Sequence, residues 1–371
     1  VLCIMKIAFI VLLFLHGFIH VLGFAKAFNF GNITQLTKAI SRPLGLIWLL
    51  AFLLFIMAAI QFLLNNEMWW LTAVNALAIS QYLIFTNWHD AKFGTIANMI
   101  ILAIAIIGYS TWHFSNTYKT AVQAFLPQTV FNTDSLLTEK DLQHLPEPVK
   151  KYIRYAGAVG KPKVKNFKLE FNGQIRADEK SAWMPFTSVQ YNFVDTATRL
   201  FFMKATMKHL PVAGFHSFKN GNAFMDIRLL SLFRVQYQAG SDMNISETVT
   251  FFNDMCCMAP ATLIDGRISW LDADSNKVKA VFTNNNISIA AWLYFNDRGE
   301  LINFISEDRY AVTANKQMKR FRWATPLKDY QMMNGHKLPA YADLIYTYPE
   351  GDFCYGNFKL TGIEYNCTEY K

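Results

Sequence analysis

Four stretches of the chain run without a charged residue for long enough to cross a bilayer core, which takes about 20 helical residues. They lie between Lys6 and Lys26, Arg42 and Glu67, Glu67 and Asp90, and Lys92 and Lys119. Trp69, Trp70, Trp88 and Trp112 fall at their ends, where amphipathic rings suit the headgroup layer. The first stretch follows Met5-Lys6 and also resembles a signal peptide; no small-residue cleavage site follows, so it reads as a retained span. Residues 1–118 are therefore expected to form an α-helical four-span membrane domain. Residues 114–137 read as a polar connector, and 119–160 as a linking region with two short helices. Thr138 to Asp141 has capping-box spacing. Pro148 opens a segment whose Val149, Tyr152, Ile153 and Ala156 make an apolar stripe ended by Gly157.

After Gly160 the period becomes two. Phe167, Leu169 and Phe171 alternate with Lys168, Glu170 and Asn172, and Val189, Tyr191 and Phe193 alternate with Gln190 and Asn192. Asn220-Gly221 and Asn334-Gly335 are hairpin signals, and Asp274-Ser275-Asn276 and Asp297-Arg298-Gly299 are further turns. The template gives roughly eleven strands between 164 and 366. Residues 245–264 break the pattern and read as a helix with Val249, Phe252, Met255, Cys256 and Met258 apolar, punctuated by Pro260 and Gly266. A long antiparallel sheet interrupted by one apolar helix predicts, for 161–371, an α+β domain: a strongly curved sheet, or half-barrel, with the helix in its concavity.

Charge sharpens this division. Residues 1–120 hold six basic and two acidic residues, against 29 and 25 in the remainder, so the net charge of +8 divides evenly. No basic patch results, and nucleic-acid binding is not expected. Lys26, Lys38, Arg42 and Lys92 lie in the loops opposite the termini, and Lys6 and Lys119 on the side of the termini; the positive-inside tendency puts those loops in the cytoplasm and the C-terminal domain outside. His16 and His20 share a helical face, and topology brings them toward the same membrane side as Arg42, His89, Asp90 and Lys92. That cluster suits a metal, proton-transfer or anionic-headgroup site, or plain interfacial polarity. Asn75, Ser80, Gln81 and Asn98 are expected to hydrogen-bond between spans. Of Cys3, Cys256, Cys257, Cys354 and Cys367, the adjacent pair reads as buried, and Cys354 and Cys367 as able to meet across neighbouring strands; no zinc spacing occurs and no metal is assigned. No GxSxG, HExxH, Walker or GxGxxG motif is present, no catalytic residue is assigned, and no cofactor is named.

The runs LHGFIHVLGFAKAF (15–28), SRPLGLIWLLAFLL (41–54) and NWHDAKFGTIANMIIL (87–102) resemble a family of uncharacterised bacterial four-span membrane proteins, and the layout resembles the DoxX-like membrane proteins. The runs LPEPVKKYIRYAG (145–157), FNDMCCMAPATLIDGRISW (252–270) and SEDRY (306–310) resemble a C-terminal domain of unknown function. The predicted curved sheet resembles the LolA-like lipoprotein-carrier fold. The DoxX comparison implies a redox or detoxification setting, and a bacterial cytoplasmic membrane location follows from the first resemblance.

A sheet of this kind leaves either a gap beneath its helix or a dry aromatic core. Phe201, Phe202, Phe215, Phe218, Phe224, Phe233, Trp270, Trp292, Trp323 and Tyr346, with Phe252 and Met255 of the helix, are the candidates to line it. Glu247, Asn253, Asp254, Glu307, Asp308 and Arg309 form the best polar cluster, read either as an acid pair or, preferentially, as a helix-to-sheet bridge from Asp254 to Arg309. The leading expectation is a non-enzymatic, membrane-anchored module that binds a lipid-like ligand, the bilayer supplying a high local concentration. A membrane oxidoreductase or metal-dependent protein built on His16, His20 and Asp90 is the second, and an assembly partner for another membrane protein the third.

Overall fold

The computed structural model describes residues 2–129, 135–313 and 317–371. The chain divides into a helical unit, Val1–Asn116 with Leu230–Leu232, and a β-rich unit, Thr117–Leu229 with Phe233–Lys371. Helices α1 (Leu2–Ala27), α2 (Arg42–Leu63), α3 (Trp69–Thr86), the short α4 (Trp88–Ala91) and α5 (Gly94–Phe125) come first. Three described helices are long and apolar enough to cross a membrane: Ile4–Ala27, Arg42–Leu63 and Gly94–Gln128. α3 is not among them, since its 18 residues include Asn75, Ser80 and Gln81. Large apolar side chains such as Leu15, Phe18, Leu53, Ile60, Ile96 and Met99 are exposed on these helices, as lipid-facing surfaces require.

α5 runs well into the segment expected to be a connector. Phe114, Tyr118, Val122 and Leu126 recur every four residues and are all buried, a helical stripe that the intervening polar residues mask. The five residues 130–134 of that expected connector lie outside the described ones. The capping box at Thr138 and Asp141 forms as expected, but it caps a single 3-10 turn, Glu139–Leu142. Helix α6 (Glu147–Tyr155) buries Val149, Tyr152 and Ile153, with Ala156 following.

Thirteen strands follow, two more than the alternation predicts. They are β1 (Asn166–Ile175), β2 (Met184–Phe193), β3 (Thr198–Met207), β4 (Leu210–Lys219), β5 (Asn222–Leu229), β6 (Phe233–Ala239), β7 (Ile268–Ala273), β8 (Lys277–Asn284), β9 (Ile287–Phe295), β10 (Leu301–Val312), β11 (Met318–Met333), β12 (His336–Tyr348) and β13 (Gly351–Tyr365). The spatial order is β6-β5-β4-β3-β2-β1-β13-β12-β11-β10-β9-β8-β7. The chain thus enters at the middle of the sheet, meanders to one edge, crosses through helix α7 (Ser241–Met258), and meanders back from the other edge. Asn220-Gly221 and Asn334-Gly335 take positive φ at both positions, the left-handed pair that a two-residue hairpin turn needs.

The curl follows from lengths. Thirteen flat strands would span roughly 58 Å at the usual strand spacing, whereas an 18-residue helix is about 27 Å long. Yet α7 packs on β4, β5 and β6 of one wing and on β9, β10 and β12 of the other. The sheet is therefore a curled half-barrel with α7 in its hollow. α7 begins four residues earlier than predicted, after Gly240 at φ 100°, and ends at Met258; Pro260 opens a separate 3-10 turn, Pro260–Ile264. Phe252 stacks on Phe282 with centroids 5.3 Å apart and meets Phe304 edge-on at 5.7 Å, which seats the helix on β8 and β10. Cys354 lies in β13 and Cys367 just beyond its end; both are free, so they do not meet across neighbouring strands.

Candidate functional site

The concave face of β2–β4 carries an unusual set of side chains. Arg199 and Phe201 of β3 lie opposite Asn192 and Gln190 of β2, and His216 of β4 lies opposite Phe201. Glu247 and Asp254 of α7 are seven residues apart, so two turns put them on one helical face. The two surfaces lock through Arg199. Its Nε donates to Asp254 Oδ2 at 2.8 Å, its Nη1 to Glu247 Oε2 at 3.0 Å, and its Nη2 to Gln190 Oε1 at 2.8 Å. Gln190 Nε2 and Asn192 Nδ2 add donors to Asp254 Oδ2 at 2.7 and 3.1 Å. His216 Nδ1 is 3.7 Å from Glu247 Oε1. Burial would push the Glu247 carboxyl up, but the charge of Arg199, the hydrogen bond and charge of His216, and the charge of Arg309 outweigh it and hold it at about 2.

The bridge expected between Asp254 and Arg309 does not form, because Arg199 already occupies Asp254. A β-bulge between Ser306 and Arg309 shifts the register against β11, and bulges of this kind re-aim side chains. The Arg309 guanidinium lies 4.5 Å from the Trp323 ring centre and 5.8 Å from that of Tyr346. Its Nε and Nη1 are buried and meet no hydrogen-bond acceptor. Asp308 is not part of this group: its Oδ2 accepts from the Ala290 amide at 2.8 Å, and its Oδ1 is 3.4 Å from Arg320. Glu307 pairs with Arg322 at 3.8 Å.

A cavity of about 240 Å³ opens between α7 and the sheet. Phe171, Phe201, Met203, Trp323, Leu344 and Phe358 form apolar wall, and Arg199, His216, Glu247, Asp254 and Arg309 form its charged part. Of the predicted lining residues, Phe201 and Trp323 face it. Phe252 and Met255 are wholly buried in the helix packing instead. Phe215 meets Phe224 edge-on at 5.3 Å and Tyr118 at 5.6 Å, and Phe202 stacks on Tyr118, so these rings belong to the opposite, convex face. Phe218 packs on Phe251, Phe233 is exposed, and Trp270 is half-buried at the edge of the core. Trp292 sits under Lys277 and Lys279, 5.3 and 5.7 Å from its ring centre.

The helical unit has its own polar centre. His20 Nδ1 bonds the His16 carbonyl at 2.9 Å and its Nε2 bonds Ser80 Oγ at 3.0 Å. His16 Nε2 bonds Asn98 Oδ1 at 2.8 Å, and Asn98 Nδ2 donates to Gln81 Oε1 at 3.0 Å. Asn75 instead donates to the Leu71 carbonyl of its own helix. A cavity of about 230 Å³ is lined by His16, His20, Trp48 and Asp90. Asp90 accepts from the Thr37 amide and hydroxyl at 2.6 and 2.8 Å and from His89 at 2.9 Å, which hold its carboxyl down at about 2. The rest of the expected cluster does not join it: Arg42 lies over Phe28 at 5.9 Å and Lys92 over Phe93 at 5.4 Å. Among the described residues, no three His, Cys, Asp or Glu side chains come together as a metal site.

Arg199, His216, Gln190 and Asn192 belong to this candidate site, and alternation did not single them out. A lone cation beside the apolar run Leu200–Met203 was the available signal. What hid it is coverage of both sheet faces. Tyr118 of α5 donates to the Val189 carbonyl at 3.0 Å, Phe125 packs on Phe193 and Tyr370 stacks on Tyr191. From Gln190 to Phe193 both sets of β2 side chains are thereby buried, and polarity no longer marks the outside.

Residues 135–358 match the model of a family of unknown function, DUF6544, and the chain belongs to that family. No curated protein matches the chain. Among solved structures, it is similar to a putative outer membrane lipoprotein-sorting protein domain from Vibrio parahaemolyticus, at 8% identity and a TM-score of 0.35, over 56% of this chain and 87% of that one. A LolA superfamily protein from Nitrosomonas europaea is similar at 8% identity and a TM-score of 0.31, over 59% and 91%. A DUF1329 family protein from Desulfovibrio piger is similar at 10% identity and a TM-score of 0.33, over 59% and 91%.

Proposed function

We propose that this DUF6544 member is a membrane-anchored binding module that holds an elongated apolar ligand between α7 and the curled sheet, with no chemistry of its own. The observation that carries the reading is the cavity of about 240 Å³ with its largely aromatic and aliphatic wall. It is larger than the roughly 150 Å³ apolar cavity known to take benzene. It falls below the ~300–1,000 Å³ of common small-molecule pockets. That size suits one chain or the end of one, not a whole multi-chain lipid. In this reading α3, with Leu71, Val74 and Phe85 exposed, crosses as a fourth span in a DoxX-like layout, and the β-rich unit lies outside the cytoplasm, as the loop charges favour.

The test is native mass spectrometry of the full chain, wild type against Ala342→Phe. Ala342 lines the cavity, so the added ring occupies ligand space. The expected result is co-purified apolar mass on the wild type and its loss in the variant. Equal adducts on both, or none on the wild type, would sink the reading.

A second reading, an oxidoreductase or metal-dependent membrane protein, draws on the cavity beside His16, His20 and Asp90. His16 Nε2 and both ring nitrogens of His20 are engaged in hydrogen bonds, which leaves little for a metal and favours the first reading. Bound metal or a visible cofactor spectrum that vanished in His16→Ala/His20→Ala would reverse that order.

A further inference from the structure

Arg309 stands in the cavity wall with its donors incomplete. Nε and Nη1 are buried and have no acceptor, although a guanidinium carries five N–H donors. The guanidinium lies 4.5 Å from the ring centre of Trp323 and 5.8 Å from that of Tyr346, contacts that stabilise its charge but supply no oxygen acceptor for its N–H groups. The nearby carboxylates do not serve it, because Glu247 and Asp254 are both held by Arg199, with Gln190 and Asn192 also on Asp254. A buried cation with unpaired donors is costly, and such a group calls for an explanation such as an absent partner. The partner must reach a site whose wall joins the apolar Phe171, Phe201, Met203, Leu344 and Phe358 to the charged Arg199, His216, Glu247 and Asp254.

We propose that the cavity selects a single-chain amphiphile with a carboxylate head, its tail against the aromatic wall and its carboxylate on the free donors of Arg309. This rests on the cavity being a ligand site, the reading given above. A carboxylate is favoured over a neutral ester or alcohol because it adds ion-pair attraction to the guanidinium and can accept two parallel N–H bonds. Glu247 and Asp254 are already bonded by Arg199, so the unpaired N–H groups of Arg309 are what the wall offers an incoming head.

The test uses the full chain in phosphatidylcholine nanodiscs. A neutral photoreactive dodecanol labels the cavity, read as modified α7 and β10 peptides. Dodecanoate, methyl dodecanoate, dodecanol and dodecyl phosphate then compete. Partition into the lipid is the same for every variant, so ratios between variants cancel it. In the wild type dodecanoate should compete at least about tenfold better than the ester or alcohol, the size of one additional hydrogen bond. In Arg309→Met that advantage should fall to within about twofold while dodecanol is unchanged. Arg309→Gln, with the same expectation, replaces it if the Met variant does not fold. Equal competition by carboxylate, ester and alcohol in the wild type overturns this inference and leaves the cavity reading standing. Stronger, Arg309-dependent competition by dodecyl phosphate overturns the choice of carboxylate. Absence of labelled cavity peptides overturns both readings.

Discussion

Removing Arg199 should destabilise the β-rich unit far more than a surface arginine would, and should make it gain stability on mild acidification. Arg199→Met keeps the length of the side chain but leaves Glu247 and Asp254 buried without the guanidinium that bonds them at 3.0 and 2.8 Å. Stranding one member of a buried ion pair costs about 3–5 kcal/mol. At ~2–4 °C per kcal/mol for a unit of this size, the thermal midpoint at pH 7 should drop by roughly 6–20 °C, followed by tryptophan fluorescence of the full chain in micelles. The triple variant Arg199→Met/Glu247→Gln/Asp254→Asn should recover most of the loss, because a neutral site no longer carries unpaired charge. The pH dependence separates charge from packing. In the wild type the Glu247 carboxyl is held near 2, below its ordinary 4.5. This depressed carboxyl contributes about 3 kcal/mol above its unfolded value and loses it as pH falls through 4.5 toward 2, while Asp254, raised by burial, works in the opposite direction. Without Arg199 the burial cost dominates, so acidification from pH 7 to 5 should stabilise Arg199→Met. A midpoint within 2 °C of wild type at pH 7, or a variant that gains no stability between pH 7 and 5, would refute the electrostatic account.

Two further outcomes follow from backbone chemistry. The Cys256 carbonyl has Pro260 four residues on, so it lacks the usual intrahelical donor; Tyr152 Oη supplies one at 2.9 Å. Tyr152→Phe should cost about 1–2 kcal/mol, a fall of a few degrees in the same thermal assay, and no loss would show the bond to be idle. The β3–β4 turn places Lys208 and His209 at φ 48° and 69°, a pair that Asn-Gly adopts with less strain. Lys208→Asn/His209→Gly should raise stability by about 1 kcal/mol, and a lower midpoint would contradict the turn assignment.

The sequence pattern was most legible where one face of an element meets water. β1 is such a case from Leu169 onward: Leu169 and Phe171 are buried, Glu170 is half-buried and Asn172 is exposed, whereas Lys168 before them is buried against Glu170 and Glu364. β2 is the opposite case, since residues Gln190 to Phe193 are all buried and period-two polarity there marks an internal ionic site, not an outside. The pairing of His16 with His20 was readable from i, i+4 spacing, and Ser80 and Asn98 as bonding partners from their polarity in apolar helices. Arg309 was recognisable as special but not its partner. Which of two arginines takes Asp254 depends on one bulge in β10, a feature with no local composition signal. The pair Glu247 and Asp254 was legible from helical spacing because two turns align them whatever lies opposite.

The polar residues of α7 bear on how any ligand enters. The helix is pinned along its whole length. The Ala223 amide donates to Asn244 Oδ1 at 2.7 Å, and the Tyr310 amide to Ser246 Oγ at 2.9 Å. Arg199 holds Glu247 and Asp254, and Asn253 Nδ2 donates to Thr325 Oγ1 at 3.2 Å. Tyr152 and Tyr365 donate to the Cys256 and Met258 carbonyls. These pins come from β5, β10, β3, β11, α6 and β13 in turn. Lifting α7 would break all of them and expose Phe251 and Phe252, which is close to unfolding the unit. α7 is therefore a fixed wall, and a ligand must enter without displacing it. Native-state hydrogen exchange tests this: amides of α7 should exchange at rates near those of the central strands β12 and β13, governed by global opening. Exchange in α7 more than a hundredfold faster than in those strands would show sub-global opening, and the helix would then be a lid.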